Sequence, residues 1–471
     1  MNPPPIANAA ARLFFPQSKS LGIDRGSCSP GLLKKIVYAG SNDPSFQRAS
    51  QDLLILAEVK VAAKQVERLT RQIGCERCAE RDAAVAAYLA RPLLQREDPL
   101  PEVTPPQVAV VEMDGGRLQI RTPSNVSAEP ADAEAKPLAE QEAAAAPPQT
   151  GGADKPADTA SLPDDEADRP RKSKHWREEK VGCLLGMKSE VCDADPCPEI
   201  PSVFVDPLLS LKVAQEIGHC AVPKGAPFSK AEPEEAEAEQ QERQKRPGRP
   251  EVETRRVVAS RQDVCAFGPL LATSAWAMGL FGSARRAFVA EGLSENWSVH
   301  KRYFSRWTAV LDFVHAMTYV YAAAMAGRTF VEGWPVYERW IRWVWGGLVS
   351  QVIEELTTRQ QAVGKASKAD KEGSPRRVVQ DALTYLGNHK DKMRYDEYRK
   401  AGLPLMSSHI ESTVKQINYR VKGTEKFWTE EGAEAVLQLR ADYLSDDEPM
   451  EDFWQRRQAT ATGQRCYRRA A

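Results

Sequence analysis

The sequence predicts an α/β fold: a mixed sheet with a helical insertion, preceded by an all-α N-terminal domain and interrupted by disordered linkers. Three observations lead there. Residues 108–113 are a β-branched run followed by Gly115-Gly116, a hairpin signal. Two short apolar stretches, 287–290 and 307–311, follow a helix-length apolar run at 264–282. Finally, Ile410, Val414, Ile417 and Val421 recur at helical spacing and predict a buried stripe.

Composition bounds the reading. At 471 residues the chain holds two or three domains. Its formal net charge is −1, so affinity for nucleic acid must come from local basic patches. The run at 264–284 is uncharged but holds Pro269, Gly268, Gly279 and Gly282, which fits a buried helix better than a membrane span. The first ten residues, MNPPPIANAA, lack the charged and apolar regions of a signal peptide. Nine unevenly spaced cysteines fit a reducing cytosol.

Residues 1–100 form the expected helical unit. One helix is expected at 46–56 and a second at 61–73, with a break at 58–60. In the second, Val66, Leu69 and Ile73 face inward; Lys64, Arg68 and Arg71 face outward, with Lys60 just before. A short helix pair with a basic second member is consistent with a helix-turn-helix that binds DNA. Residues 101–122 read as the first hairpin of the core, turning at Gly115-Gly116, with Asp114 ending its first strand. Residues 123–172 and 229–250 are too poor in apolar residues to fold and read as disordered. Between them, 173–228 supplies the rest of the sheet, including a strand at 180–187. The core continues through 251–312. A helical insertion occupies 313–400, where Trp334, Trp340, Trp343 and Trp345 are expected in the core. The final helices fill 401–446. A basic tail, 447–471, carries Arg456, Arg457, Arg465, Arg468 and Arg469.

The helix at 409–422 carries a second stripe: Glu411, Lys415, Asn418 and Lys422. One carboxylate thus leads a row of cations and an amide. Ser408-x-x-Glu411 also reads as a capping box, with Ser408 as N-cap. Acids stand at the ends of the other elements: Asp114, Glu291 and Asp312. Three strands, a helix, two strands and a late helix bearing an acid is the order of a ribonuclease H-like fold. There Asp114, Glu291 and Glu411 would converge. Their mutual repulsion calls for cations, and two Mg²⁺ ions roughly 3.5–4 Å apart would relieve it. Such hard ions prefer carboxylate oxygen; Mn²⁺ would substitute.

At these residues the chain resembles a family, the transposases of the ISKra group of bacterial insertion sequences, which are of the DDE class. The matching stretches are SPGLLKKIVYAGSNDPSFQRASQDL (29–53), MDGGRLQIR (113–121), HWREEKVGCL (175–184) and FVAEGLSENW (288–297). LDFVHAMTYVYAAA (311–324), MRYDEYRKAGLP (393–404) and the long stretch from SSHIESTVKQINYRVKGTEKFW to LQLRADYL (407–444) also match. The resemblance implies metal-dependent strand cleavage and transfer at terminal inverted repeats, joining to target DNA, and a homo-oligomer that brings two ends together. The implied place is the bacterial cytoplasm, at the nucleoid. It implies Asp114 as first acid and Glu411 as last, all three acids as metal ligands, and Asp312 with His315 as a supporting D-x-x-H pair. Where the family has Asp-Gly, this chain has Glu291-Gly292. Glutamate is longer by one C–C bond, about 1.5 Å, and a displacement of about 1 Å at a reacting centre costs about a hundredfold.

Other signals are weaker. Cys75-x-x-Cys78 has no second pair nearby, and Cys183, Cys192, Cys197, His219 and Cys220 match no zinc-finger pattern. Lys415, Arg420 and Lys422 are candidate phosphate contacts. Two rival functions stand beside the transposase: an impaired or repurposed descendant that only binds DNA, and another ribonuclease H-like nuclease.

Overall fold

A computed structural model describes residues 12–14, 28–121, 175–227, 249–423, 425–460 and 464–466. The expected disordered segment at 123–172, nearly all of that at 229–250, and Arg468 and Arg469 lie outside the described residues.

The centre is a mixed sheet. β1 (Val108–Ile120) pairs antiparallel with β2 (Trp176–Lys188), which pairs antiparallel with β3 (Glu251–Ser260). On its other side β1 runs parallel to β4 (Arg285–Ala290), and β4 runs parallel to β5 (Thr308–Leu311). The order is β3-β2-β1-β4-β5, and β6 (Phe427–Trp428) pairs with the end of β1. Successive side chains of a strand point to opposite faces. Val108, Val110, Leu118 and Ile120 therefore enter one core, and Ala109, Val111 and Met113 the other.

The expected hairpin at Gly115-Gly116 is not formed. Both glycines lie inside β1, opposite Lys180 and Glu179 of β2, and Asp114 lies mid-strand opposite Val181. The glycines serve close approach rather than turning. A Cβ on Gly116 would stand 2.4 Å from Glu179 Oε1, and one on Gly115 would stand 2.9 Å from Glu179 O. The third antiparallel strand is instead β3, which the sequence reading had not separated from the core. Its first four residues are exposed and charged or polar apart from Val252, so only Val257, Val258, Ala259 and Ser260 show a buried signal.

After a short strand, Arg12–Phe14, which pairs antiparallel with Gln464–Cys466, come three helices: α1 (Pro30–Asn42), α2 (Phe46–Ala57) and α3 (Ala63–Ala90). The break between α2 and α3 contains Glu58 at φ 55°. Val66, Leu69 and Ile73 are buried as expected, but α3 runs 28 residues, well past 73. α4 (Pro207–Glu216) leads toward β3; α5 (Val264–Ala277) is the uncharged run, packed under the second core. Among the described residues no helix is long and apolar enough to cross a membrane. α6 (Ser294–Tyr303) links β4 to β5.

The helical block follows as α7 (Phe313–Met325), α8 (Phe330–Trp345), α9 (Val349–Val363), α10 (Pro375–His389) and α11 (Tyr395–Lys400). Trp340 and Trp345 are buried, and Trp334 and Trp343 pack partly buried against the same core. Their indole N–H groups are placed: Trp340 donates to Glu355 and Trp345 to Cys197 O. α12 (Ser408–Val421), α13 (Glu430–Tyr443) and α14 (Pro449–Ala459) complete the chain. Leu439, Met450, Phe453 and Trp454 join a third core whose other members come from α1 to α3 and the α2–α3 break. Within the basic tail, Arg456 and Arg457 pair with Glu80 and Glu76 of α3.

Candidate functional site

Strand parity assembles the site. Glu112 and Asp114 are two residues apart on β1 and so share a face. Met113 lies opposite Ala290 in the parallel register, which sets Glu291 beside Asp114 just past the end of β4. Val289 and Val310 enter the same core as Val110, so Glu291 and Asp312, two residues on from each, point to that face as well. Ile410, Val414, Ile417 and Val421 lay α12 across it. The face thus receives Glu411.

Asp312 is the N-cap of α7. Its Oδ1 accepts the backbone N–H of His315 at 2.8 Å, and the imidazole Nδ1 lies 3.1 Å from the same oxygen. The ring's other nitrogen, Nε2, lies 2.8 Å from Glu291 Oε1. His315 therefore bridges two acids. Burial works against its charge, but Asp312 and Glu291 overcome that and push the imidazole up to about 11, so it is an imidazolium at neutral pH. Burial also works to raise Asp312, yet His315 and the N–H groups of His315 and Ser407 hold its carboxyl below the usual range.

Asp114 behaves in the opposite way. Burial and then the charge of Glu291 push it up to about 7. Burial, followed by Asp312, also raises Glu411. One built-in cation, His315, is too little for the acids gathered here. Among the described residues, however, no group of three or more His, Cys, Asp and Glu side chains is arranged to hold a metal ion. Glu291 is turned to His315 instead.

The N-terminus of α12 is built differently from the expected capping box. The helix begins at Ser408, so Ser407 is the N-cap and Glu411 lies one position beyond N3. The Ser407 hydroxyl makes no cap; it donates to Asp312 Oδ2 at 2.9 Å, and the Ser407 N–H reaches the same oxygen at 2.6 Å. The N3 amide, Ile410 N–H, is bound by Glu112 Oε2 at 2.8 Å. Glu411 is thereby released from capping.

Of the proposed phosphate contacts, Lys415 is exposed and Lys422 half-buried on the stripe that starts at Glu411. Arg420 is not at the surface. It is 1% exposed, and its guanidinium donates to Gly40 O at 2.9 and 3.0 Å between the rings of Phe46 and Trp428. It ties α12 to α1, because position 420 falls on the apolar stripe rather than the polar one. Lys60, Lys64, Arg68 and Arg71 are all exposed on the N-terminal unit; Arg71 lies 3.5 Å from Glu431.

Two buried acids escaped the sequence reading. Glu112 is fully buried, and burial pushes it up to about 8. Its signal was present: a carboxylate inside a β-branched run, two residues before Asp114. Glu179 is fully buried beneath Gly116, with neither oxygen hydrogen-bonded, and burial pushes it up to about 7 against the pull of Lys422. No known family model matches the chain, and no curated protein matches it.

Proposed function

We propose that the chain is a DDE-class DNA transposase on a ribonuclease H-like core, which cuts and joins DNA strands at the ends of a bacterial insertion sequence. The observation that supports the reading is that Glu291 and Glu411 lie near enough for their charges to raise the Asp114 carboxyl, on the sheet face that α12 crosses. The strand order, with three antiparallel strands and two parallel ones beside them, supports it.

Asp114, Glu291 and Glu411 would hold two Mg²⁺ or Mn²⁺ ions once Glu291 turned from His315, since among the described residues no three such side chains are arranged for a metal ion as they stand. Bound there, the ions would supply an activated water or 3′-hydroxyl and stabilise the leaving oxygen of the phosphodiester. Burial and Glu291 hold the Asp114 carboxyl up to about 7, so a bound cation would have to displace its proton. Asp312 and His315 fix the start of α7 and hold Glu291. Lys415 and Lys422 extend from Glu411 along one helix face, a track for the DNA backbone. Lys60, Lys64, Arg68 and Arg71 form the surface for terminal-repeat DNA. The chain works in the bacterial cytoplasm as a homo-oligomer that pairs two DNA ends.

One observation favours a second reading. Glu291 already holds His315, which leaves it committed to a cation of the chain's own. On that reading the protein is an impaired transposase that retains DNA binding. Purified protein is incubated with duplexes tiling the DNA that flanks its coding sequence, with Mg²⁺ or Mn²⁺. Cleavage and joining by the wild type, lost in Glu411→Gln, support the transposase. Cleavage by Glu291→Asp alone supports the impaired form. Cutting of branched DNA without joining would point to a nuclease, and DNA binding without cutting by either protein would refute the enzyme.

A further inference from the structure

We propose that Glu112 is a positioning residue for Glu411, holding the start of α12 against the central strand so that the last acid faces Asp114. The inference rests on the proposed metal-binding role of these acids. Helix N-termini are ordinarily capped from their own sequence, by a serine, threonine, aspartate or asparagine at the N-cap. Here the local serine is diverted to Asp312. The capping oxygen comes instead from a strand 298 positions away, at 2.8 Å from Ile410 N.

The placement joins three things. Glu112 shares a strand and a face with Asp114, two residues on. Its acceptor atom binds the amide of the residue next to Glu411. Asp312, the other acceptor at this turn, also holds His315. The start of α12 is therefore fastened at two points, to the strand that carries Asp114 and to the N-cap of the helix that carries His315. Glu112 is fully buried, and its second oxygen, Oε1, has no hydrogen-bond partner. A leucine there would fit the apolar core better. A side chain costly to bury and bonded through one atom is placed for that one bond.

Residues that orient a ligand from behind typically change metal affinity about 10- to 100-fold when altered. Three variants separate geometry from charge. Glu112→Gln keeps a carbonyl oxygen at the same reach and cannot ionise. Glu112→Asp keeps an ionisable carboxyl and withdraws the acceptor. Glu112→Leu removes both. Hydrogen–deuterium exchange of residues 408–412 is measured against 431–441 of α13, and Mn²⁺ binding is followed by titration calorimetry, both without DNA.

Glu112→Gln should match the wild type in both readouts. Glu112→Asp should speed exchange at 408–412 only and weaken Mn²⁺ binding at least about tenfold. Glu112→Leu should do the same wherever it folds. Unchanged exchange at Ile410 and Glu411 in the aspartate variant overturns the inference. So does a glutamine variant as impaired as the aspartate one, since the ionisable carboxyl rather than the placed oxygen would then be the operative property. If the wild type binds no Mn²⁺ while the exchange pattern holds, the metal-binding reading fails and the fastening of α12 by Glu112 stands.

Discussion

Glu291 ends one C–C bond farther out than an aspartate would, and its carboxylate meets the His315 ring at 2.8 Å. Shortening it should lengthen that contact and lower the imidazole from its position near 11, which NMR titration of His315 would read in Glu291→Asp. Removing the ring leaves Asp312 buried with its charge uncompensated. His315→Gln should therefore cost about 3 kcal/mol at neutral pH, measured by denaturant unfolding. The pH dependence has a definite sign. Asp114 and Glu112 are raised in the folded state from 3.8 and 4.5 to about 7 and about 8. Each contributes stability that is present below its unfolded value and lost as pH rises through its folded one. The metal-free protein should thus melt lower at pH 8.5 than at pH 5.5, and Glu112→Gln should flatten part of that slope. Saturating Mn²⁺ should restore the melting temperature at high pH and release protons near neutrality.

The elements show which signals a sequence carries openly. The stripe of Ile410, Val414, Ile417 and Val421, the tryptophan-rich block and the strands that end before Glu291 and Asp312 were legible because each is a local pattern. Gly115-Gly116 was misread because a glycine pair has two uses, turning and close approach, and only the partner decides. That partner, Glu179, lies more than sixty positions away in the sequence, beyond residues 122–174. Gly116→Ala should destabilise the fold by about 1–3 kcal/mol through crowding of the buried Glu179. Arg420 was misplaced for the same reason. Its residue type suggested a phosphate, whereas its helical phase set it on the apolar side. Arg420→Met should loosen the contact of α12 with α1, seen as faster exchange of the Phe46 region, and should leave the site acids in place. Glu112 and the Ser407–Asp312 pair were invisible because capping from a distant strand has no sequence spacing.

At the scale of the molecule, the beginning of the chain is finished by its end. Gly74 lets α3 approach α13 closely: a Cβ there would stand 2.5 Å from Ala435 O, which is backbone and cannot yield as a side chain does. Arg77 and Arg81 then pair with Asp442 and Glu434 across the same seam. Gly74→Ala should cost about 1–3 kcal/mol, and Phe453→Ala about 3–5 kcal/mol by emptying the third core; thermal unfolding of full-length protein checks both. That closure also sets a timetable for synthesis. Ile73 leaves the ribosome roughly 380 residues before Phe453, an interval of about 20–75 s at usual elongation rates. Throughout it, Leu33, Ile36, Val66 and Ile73 wait without their last neighbours, Leu439, Met450, Phe453 and Trp454. A chain abandoned early lacks both the acid on α12 and the residues that complete the third core, so it leaves the apolar face of its N-terminal helices uncovered.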